Sequence, residues 1–433
     1  MLSGYIKTKL LPALAVLAYL IGISWRYYYI FITHRATDYV YSDMQLYVER
    51  ALNFINPNYN ANIADTIYPP GMHMLLGLIY TIDSSWEPAL WMQFVISCLI
   101  PLLIAGLGYL LYGARVAYLA LIFASLYFTF IDYAGFFLAE NPYLFSVCSA
   151  LLLLVLALRA RARLWRIIAA ICGGVMVAIS AALKEAIIVP AALIGLFLLY
   201  LAWRNKSSSI FVILIASSLS TVAVLAPFSY RCTTLSEGAF CVTSNSGALT
   251  MLEGHHGEYV KVWYHDHERN LHFWFGPPPF AKRGYTGELH FDFGAYDARA
   301  NRAAAWAWIK EHPWQAFLLS TQNVFQLFVG PTPWPSSDTA EKHLATFAQE
   351  LFLVIVLLPA LVFVWCHWRA LLRLEQRYWA DILVLLPVLG LMAAVFLSLG
   401  DPRYRIPFDG FIMLLAARMY LRQDGRLALP RAG

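Results

Sequence analysis

The stretch PYLFSVCSALLLLVLALRARARLWRIIAAICGGVMVAISAAL, residues 142–183, decides the class of fold. Two apolar runs, Pro142 to Leu158 and Ile167 to Leu183, enclose a short loop carrying Arg159, Arg161, Arg163 and Arg166. Each run approaches the roughly 20 residues a helix needs to cross a bilayer, and lipid offers the backbone no partners beyond its own. Basic residues in short loops set the orientation of neighbouring spans, so these arginines belong in the cytoplasm.

Outward from this hairpin, similar runs occur at Leu10 to Ile32, Pro88 to Leu111, Val116 to Tyr133, Ala186 to Trp203, Ile210 to Pro227, Phe347 to Trp368, Ala380 to Leu399 and Ile406 to Leu421. Hydrophobic residues make up 60% of the 433-residue chain and charged ones 13%, with a mean hydropathy of +0.59, far from the soluble globular range. The expected class is an all-α polytopic membrane protein with about ten spans. Its net charge of +5 falls mostly in loops between spans, so it sets orientation and points to no nucleic acid. Lys7 and Lys9 ahead of the first run fit an uncleaved anchor, since no small-residue cleavage pattern precedes Trp25-Arg26-Tyr27.

Two further apolar segments suit helices lying at the interface. Pro69 to Ile82 is short and opens Pro69-Pro70-Gly71, and Trp314 to Gly330 carries Gln315, Gln322 and Gln326 as a polar stripe. The basic loops at Lys7/Lys9, Arg115, Arg159 to Arg166, Arg204/Lys206, Arg369/Arg373/Arg377 and Arg422/Arg426 then share one face, with both termini cytoplasmic. The expected organisation is an N-terminal membrane module (1–227) with a first external loop at 33–87. A large external loop (228–346) containing the amphipathic helix 314–330 follows, then C-terminal spans and a tail (347–433).

The spans are largely uncharged in their middles, and the charges at their mouths fall on the non-cytoplasmic side: Asp43, Glu140, Lys184, Arg403 and Arg405. Ionisable groups beside a bilayer usually mark a site, and these suggest one pocket at the membrane surface. Plainer readings are helix caps for Asp43 and Glu140, a local Lys184–Glu185 pair, interface aromatics for Tyr47 and Tyr404, and a satisfied interfacial histidine at His73. Cys232 and Cys241 share the large external loop, either as a small disulfide loop or as two free thiols. The cluster His255-His256, His265-Asp266-His267 and His272 reads as a solvated loop touching acceptor or headgroups rather than a metal site, because an i, i+2 pair does not face one way on a helix.

Several motifs in order resemble the GT-C membrane glycosyltransferases, in particular their protein O-mannosyltransferase, aminoarabinose transferase and RgtA-like branch. Ser42-Asp43-Met44-Gln45-Leu46-Tyr47 resembles the family's first-loop acidic motif, Tyr68-Pro69-Pro70-Gly71 the start of its juxtamembrane helix, and Ala139-Glu140-Asn141-Pro142 its second acidic motif. Ala226 to Arg231 with Thr243-Ser244-Asn245-Ser246-Gly247, then Trp308 to Pro313, and finally Gly400-Asp401-Pro402-Arg403-Tyr404-Arg405-Ile406-Pro407, are similar to its later landmarks. In this chain Met44 and Gln45 follow the acid where many members carry a second one, and Tyr68 replaces the lysine of the aminoarabinose branch.

The resemblance implies a GT-C-like bundle with external juxtamembrane helices in the cytoplasmic (inner) membrane, its active site on the periplasmic or extracellular face. It implies an inverting transferase taking a monosaccharide from a polyprenyl-phosphate carrier to a hydroxyl on a lipid, glycan or protein acceptor. Such chemistry needs a base for the acceptor proton, assigned to Asp43, and cations for the departing lipid phosphate, assigned to Arg403, Arg405 and Lys184. Glu140 either orients the acceptor or, with Asp43, holds a divalent ion such as magnesium or manganese. Tyr47, Tyr68, His73, Tyr404 and Asn245 are the expected substrate contacts. An O-antigen-type polymerase or ligase, or a lipid-linked sugar transporter, is the alternative. A transporter fits less well with uncharged span centres and no internal repeat.

Overall fold

Apolar sequence becomes helix throughout. The computed structural model describes every residue except 1, 41–42, 256–259, 265–270, 276–286, 330–338 and 431–433. The helices are α1 (Leu2–Tyr28), α2 (Asp43–Ile55), α3 (Gly71–Ile82), α4 (Glu87–Tyr112), α5 (Ala114–Leu126), α6 (Phe128–Asp132), α7 (Glu140–Arg159), α8 (Arg163–Leu183), α9 (Ile188–Arg204), α10 (Ser208–Leu235), α11 (Ser246–Gly254), α12 (Ala298–Glu311), α13 (Pro313–Val329), α14 (Thr339–Phe352), α15 (Leu358–Leu372), α16 (Trp379–Phe396), α17 (Pro402–Arg405) and α18 (Asp409–Leu421). Between α11 and α12, strands β1 (Val260–Tyr264), β2 (Leu271–Phe275) and β3 (Gly287–Phe291) form a small sheet in the order β2-β1-β3, β1 antiparallel to β2 and parallel to β3.

Among the described residues, 8 helices are long and apolar enough to cross a membrane, and the α5–α6 pair, bent by 58°, brings the number to 9. The expected span Ile406 to Leu421 lies inside the bundle, enclosed by other helices. Its first residues form a 3-10 turn, and α18 has only 13 residues, with Asp409 through Arg418 all buried. It is a core helix packed against α5, α15 and α16.

The span interiors hold more charge than expected. Arg26 is 1% exposed in α1 and donates to Ser97 Oγ at 2.8 Å and to the carbonyls of Ser125 and Ala124 at 2.9 and 3.2 Å. Those carbonyls sit at the α5–α6 break, so the guanidinium supplies the donors that the interrupted helix lacks. Arg418 pairs with Asp381 at 2.6 Å, and Arg405 with Asp409 at 2.7 Å.

In helix α13 the polar stripe runs from exposed to buried. Gln315 is exposed and Gln326 buried, so the three glutamines do not make one outward stripe. The inward face instead carries Ser320, Asn323 and Gln326 among apolar neighbours, while Trp314, Phe317 and Phe325 are 50–67% exposed. A helix with polar groups inward and aromatics outward suits contact with lipid.

Basic loops gather at one end of the bundle, where Arg204 Nη1 donates to the Leu374 carbonyl at 3.2 Å, Arg426 N to Leu111 at 2.8 Å and Arg166 Nη1 to Ser209 Oγ at 2.6 Å. Glu140 and Arg159 bound the 20-residue α7, about 30 Å apart along a helix of that length. Glu140 therefore lies at the opposite end.

Candidate active site

At that opposite end, four segments distant in sequence bring their charges together. Asp43 opens α2 just after the first span, Glu140 opens α7, Lys184 lies between α8 and α9, and Arg403 lies in the one-turn helix α17. Pro402 stands at the start of that turn and the Asp401 side chain caps it by accepting from Arg403 N at 2.7 Å, which fixes where the guanidinium starts. Arg403 Nη1 donates to Asp43 Oδ2 at 3.1 Å, and its Nε lies 3.6 Å from Glu140 Oε1. Lys184 Nζ donates to the same Glu140 oxygen at 2.6 Å. Two cations thus alternate with two carboxylates in one connected network.

Exposure separates the members. The side chains of Asp43, Arg403 and Lys184 are 26%, 20% and 16% exposed, while Glu140 is 3% exposed. Tyr68 OH donates to Asp43 Oδ1 at 3.3 Å, the Tyr47 and Tyr68 rings lie 5.6 Å apart, and Lys184 Nζ sits 5.5 Å over the Tyr404 ring. Burial lifts the Tyr47 and Tyr68 phenols above their usual range, and the nearby carboxylates add to it. Burial pulls the Lys184 ammonium down despite Glu140. Burial also works against the Arg403 charge, but Glu140 and its neighbours outweigh this and hold the guanidinium above its ordinary range.

Other expected site residues stand apart. Arg405 is 0% exposed and spends its donors on Asp409 at 2.7 and 3.3 Å and on the Leu327 carbonyl at 3.0 Å. A phosphate does not reach it, which corrects that assignment. Asn245 is buried, its amide donating to Thr66 Oγ1 and Ser236 Oγ at 2.9 and 2.7 Å, so it ties the segment between α10 and α11 to the loop between α2 and α3. His73 is buried in α3, and burial, helped by the Arg50 and Arg231 charges, lowers its imidazole to about 3. Cys232 and Cys241 form a disulfide. Residues 256, 265–267 and 276–279 lie outside the described residues.

Lys184 does not pair with Glu185. Glu185 instead accepts from Thr243 N at 2.6 Å and Ser244 N at 2.5 Å, anchoring the large loop beside the site. Sequence reading also missed Glu253, at the end of α11. Burial raises its carboxyl to about 7, with Arg403 pulling the other way. Its signal was a lone acid in an apolar stretch ahead of Gly254. A Cβ at Gly254 would come within 2.5 Å of the Ser398 carbonyl, and one at Gly400 would strike the Asn323 backbone. Asn323 Nδ2 donates to Gly254 O at 2.9 Å, so these contacts lock α11 against the turn that leads to Arg403.

Among the described residues, no three His, Cys, Asp or Glu side chains gather as a metal-holding group. Asp43 and Glu140 already face Arg403, and Glu140 also faces Lys184. A magnesium or manganese ion would have to displace the guanidinium, so the residues do not fit a divalent ion.

A membrane-embedded helical bundle with a charged network at one end defines a membrane protein with a surface site. Solved structures match this one to different degrees. AglB, the oligosaccharyltransferase of Archaeoglobus fulgidus, in complex with an inhibitory peptide and a dolichol-phosphate, matches with a TM-score of 0.53 at 14% identity, over 96% of this chain and 51% of that one. The same organism's oligosaccharyltransferase in complex with Zn and sulfate gives 0.52 at 13% identity, over 94% and 49%. ArnT from Cupriavidus metallidurans, bound to undecaprenyl phosphate, gives 0.38 at 15% identity, over 97% and 78%. The chain spans about half the length of the oligosaccharyltransferase chains it matches. The likeness shows a fold shared with these oligosaccharyltransferase chains. No protein-family model and no curated protein sequence matches the chain.

Proposed function

We propose that the protein is an integral membrane, inverting glycosyltransferase that moves a sugar from a polyprenyl-phosphate carrier to a hydroxyl acceptor at the non-cytoplasmic face of the cytoplasmic membrane. The observation that carries this reading is the Asp43–Arg403–Glu140–Lys184 network, partly open to solvent at the mouth of the spans. The dolichol-phosphate held by AglB, which shares the fold, supports a lipid phosphate as the donor's handle.

In this reading the acceptor oxygen attacks the anomeric carbon as the bond from that carbon to the phosphate oxygen breaks, and the departing polyprenyl phosphate keeps the electron pair. The acceptor proton passes to Asp43, the more exposed carboxylate, which keeps lone pairs beyond those taken by Arg403 and Tyr68. Lys184 and Arg403, both partly exposed, meet the charge that develops on the phosphate. Glu140 is too buried to meet substrate and acts as a positioning residue that fixes both cations.

The test is to give purified protein a pool of polyprenyl-phosphate sugars together with membrane acceptors. Glycosylated acceptor appearing in step with free polyprenyl phosphate supports transfer. Carrier binding with no release of polyprenyl phosphate points instead to a transporter, and chain growth on the carrier to a polymerase.

A further inference from the structure

At the end of the bundle opposite the carboxylates, the turn between α15 and α16 forms a cavity of about 410 Å³ lined by His367, Trp368, Arg369, Glu375, Arg377 and Tyr378. The turn carries Arg369, Arg373 and Arg377 against one acid, Glu375, which takes only Arg377, at 3.0 Å. Arg204 joins from the end of α9, its guanidinium 5.5 Å from the Trp379 ring and its Nη1 on the Leu374 carbonyl. Arg369 and Arg373 have no ion pair among the described residues, and the Arg369 guanidinium rests 5.3 Å over the Trp368 ring. The cavity therefore has excess positive charge with donors to spare.

Its surroundings select the kind of anion. Trp203 and Trp365 are each 78% exposed and Leu372 is 73% exposed, beside the arginines on the same helix ends. Exposed tryptophan next to arginine at a span end is the arrangement of a membrane interface, where an anion arrives attached to acyl chains. A soluble anion would gain nothing from that apolar rim.

We propose that this cavity binds the headgroup phosphate of an anionic phospholipid of the inner leaflet, with the acyl chains lying along the exposed face of α15. The phosphate sits between Arg369 and Arg377, and Arg373 and Arg204 add to the attraction. The site is independent of the transfer chemistry at the other end.

The test uses the full chain, purified and delipidated in detergent, with dioleoyl phosphatidylglycerol, dioleoyl phosphatidylcholine or inorganic phosphate as the probe, and reads retained lipid by native mass spectrometry. Phosphatidylglycerol is expected to be retained at least roughly tenfold more tightly than phosphatidylcholine. The Arg369→Gln/Arg373→Gln/Arg377→Gln variant is expected to lose that preference. Equal retention of the two lipids, or an unchanged preference in the variant, overturns the proposal. Inorganic phosphate competing away phosphatidylglycerol at comparable concentration overturns the lipid assignment. If the triple variant does not fold, Arg369→Gln alone is measured by the same criterion, and unchanged preference there also overturns it.

Discussion

Arg403 and Asp43 are 360 positions apart in sequence and 3.1 Å apart in space, and the same guanidinium reaches Glu140 at 3.6 Å. That contact closes α2 onto the turn preceding the last helix. One planar fork therefore sets the distance between the two acids of the site.

A lysine cannot span both carboxylates, so Arg403→Lys is expected to behave much like Arg403→Ala. Both should lower kcat by about 10²–10³-fold, the usual effect of removing one preorganised charge from a transfer site. Steady-state kinetics on both variants check this, and wild-type kcat in Arg403→Lys contradicts the bridging role.

Arg405 is expected to matter for folding. Arg405→Ala leaves Asp409 buried without its partner and should destabilise the protein by about 3–5 kcal/mol. Arg405→Met/Asp409→Leu, which removes both charges, should recover much of that in a thermal melt. A wild-type melt for Arg405→Ala combined with weaker binding of undecaprenyl phosphate would return Arg405 to the phosphate site.

Stability should depend on pH through His73. Its folded pKa of about 3 lies below the 6.5 of the free side chain, so between those values the unfolded chain binds more protons than the folded one. Stability therefore rises with pH across that window and is lost as pH falls through it, by at most about 1.4 kcal/mol per unit. Melts of wild type and His73→Leu against pH read this directly, and identical slopes would show that His73 is not held neutral.

Glu253 should make anion binding sensitive to pH near neutrality. As its carboxyl ionises around pH 7 it adds negative charge within range of Arg403, so affinity for undecaprenyl phosphate should fall as pH rises. The lipid phosphate titrates in the same range, and Glu253→Gln removes only the protein's share. The affinity ratio between about pH 6 and about pH 8 should therefore be smaller in the variant, and an equal ratio excludes the coupling.

The membrane class and the site's charges were legible because both rest on local patterns: apolar runs of span length, and ions at their mouths. Asp43, Glu140, Lys184 and Arg403 were found this way, and they do meet. Arg405 was not separable from Arg403 in sequence. Both lie in one short turn and differ only in facing, and Asp409 four residues on decides which is neutralised inside. Hydropathy does not distinguish a helix facing lipid from one enclosed by protein, and α18 is enclosed. The glutamines of α13 do not show which face turns inward, because that depends on partners such as Gly254 and Gly400, 69 and 77 residues away. Arg26 lies inside the expected run Leu10 to Ile32, and its role depends on a helix break about a hundred residues downstream.

The most direct test of the account is the rate of sugar transfer from a polyprenyl-phosphate donor by wild type and by Asp43→Asn, with undecaprenyl phosphate binding measured on both. Asn keeps the shape and the contact with Tyr68 but cannot take the acceptor proton. Asp43→Asn is expected to fold, to bind the carrier phosphate and to lose transfer by about 10²–10⁴-fold in kcat. Undiminished transfer in Asp43→Asn would contradict it.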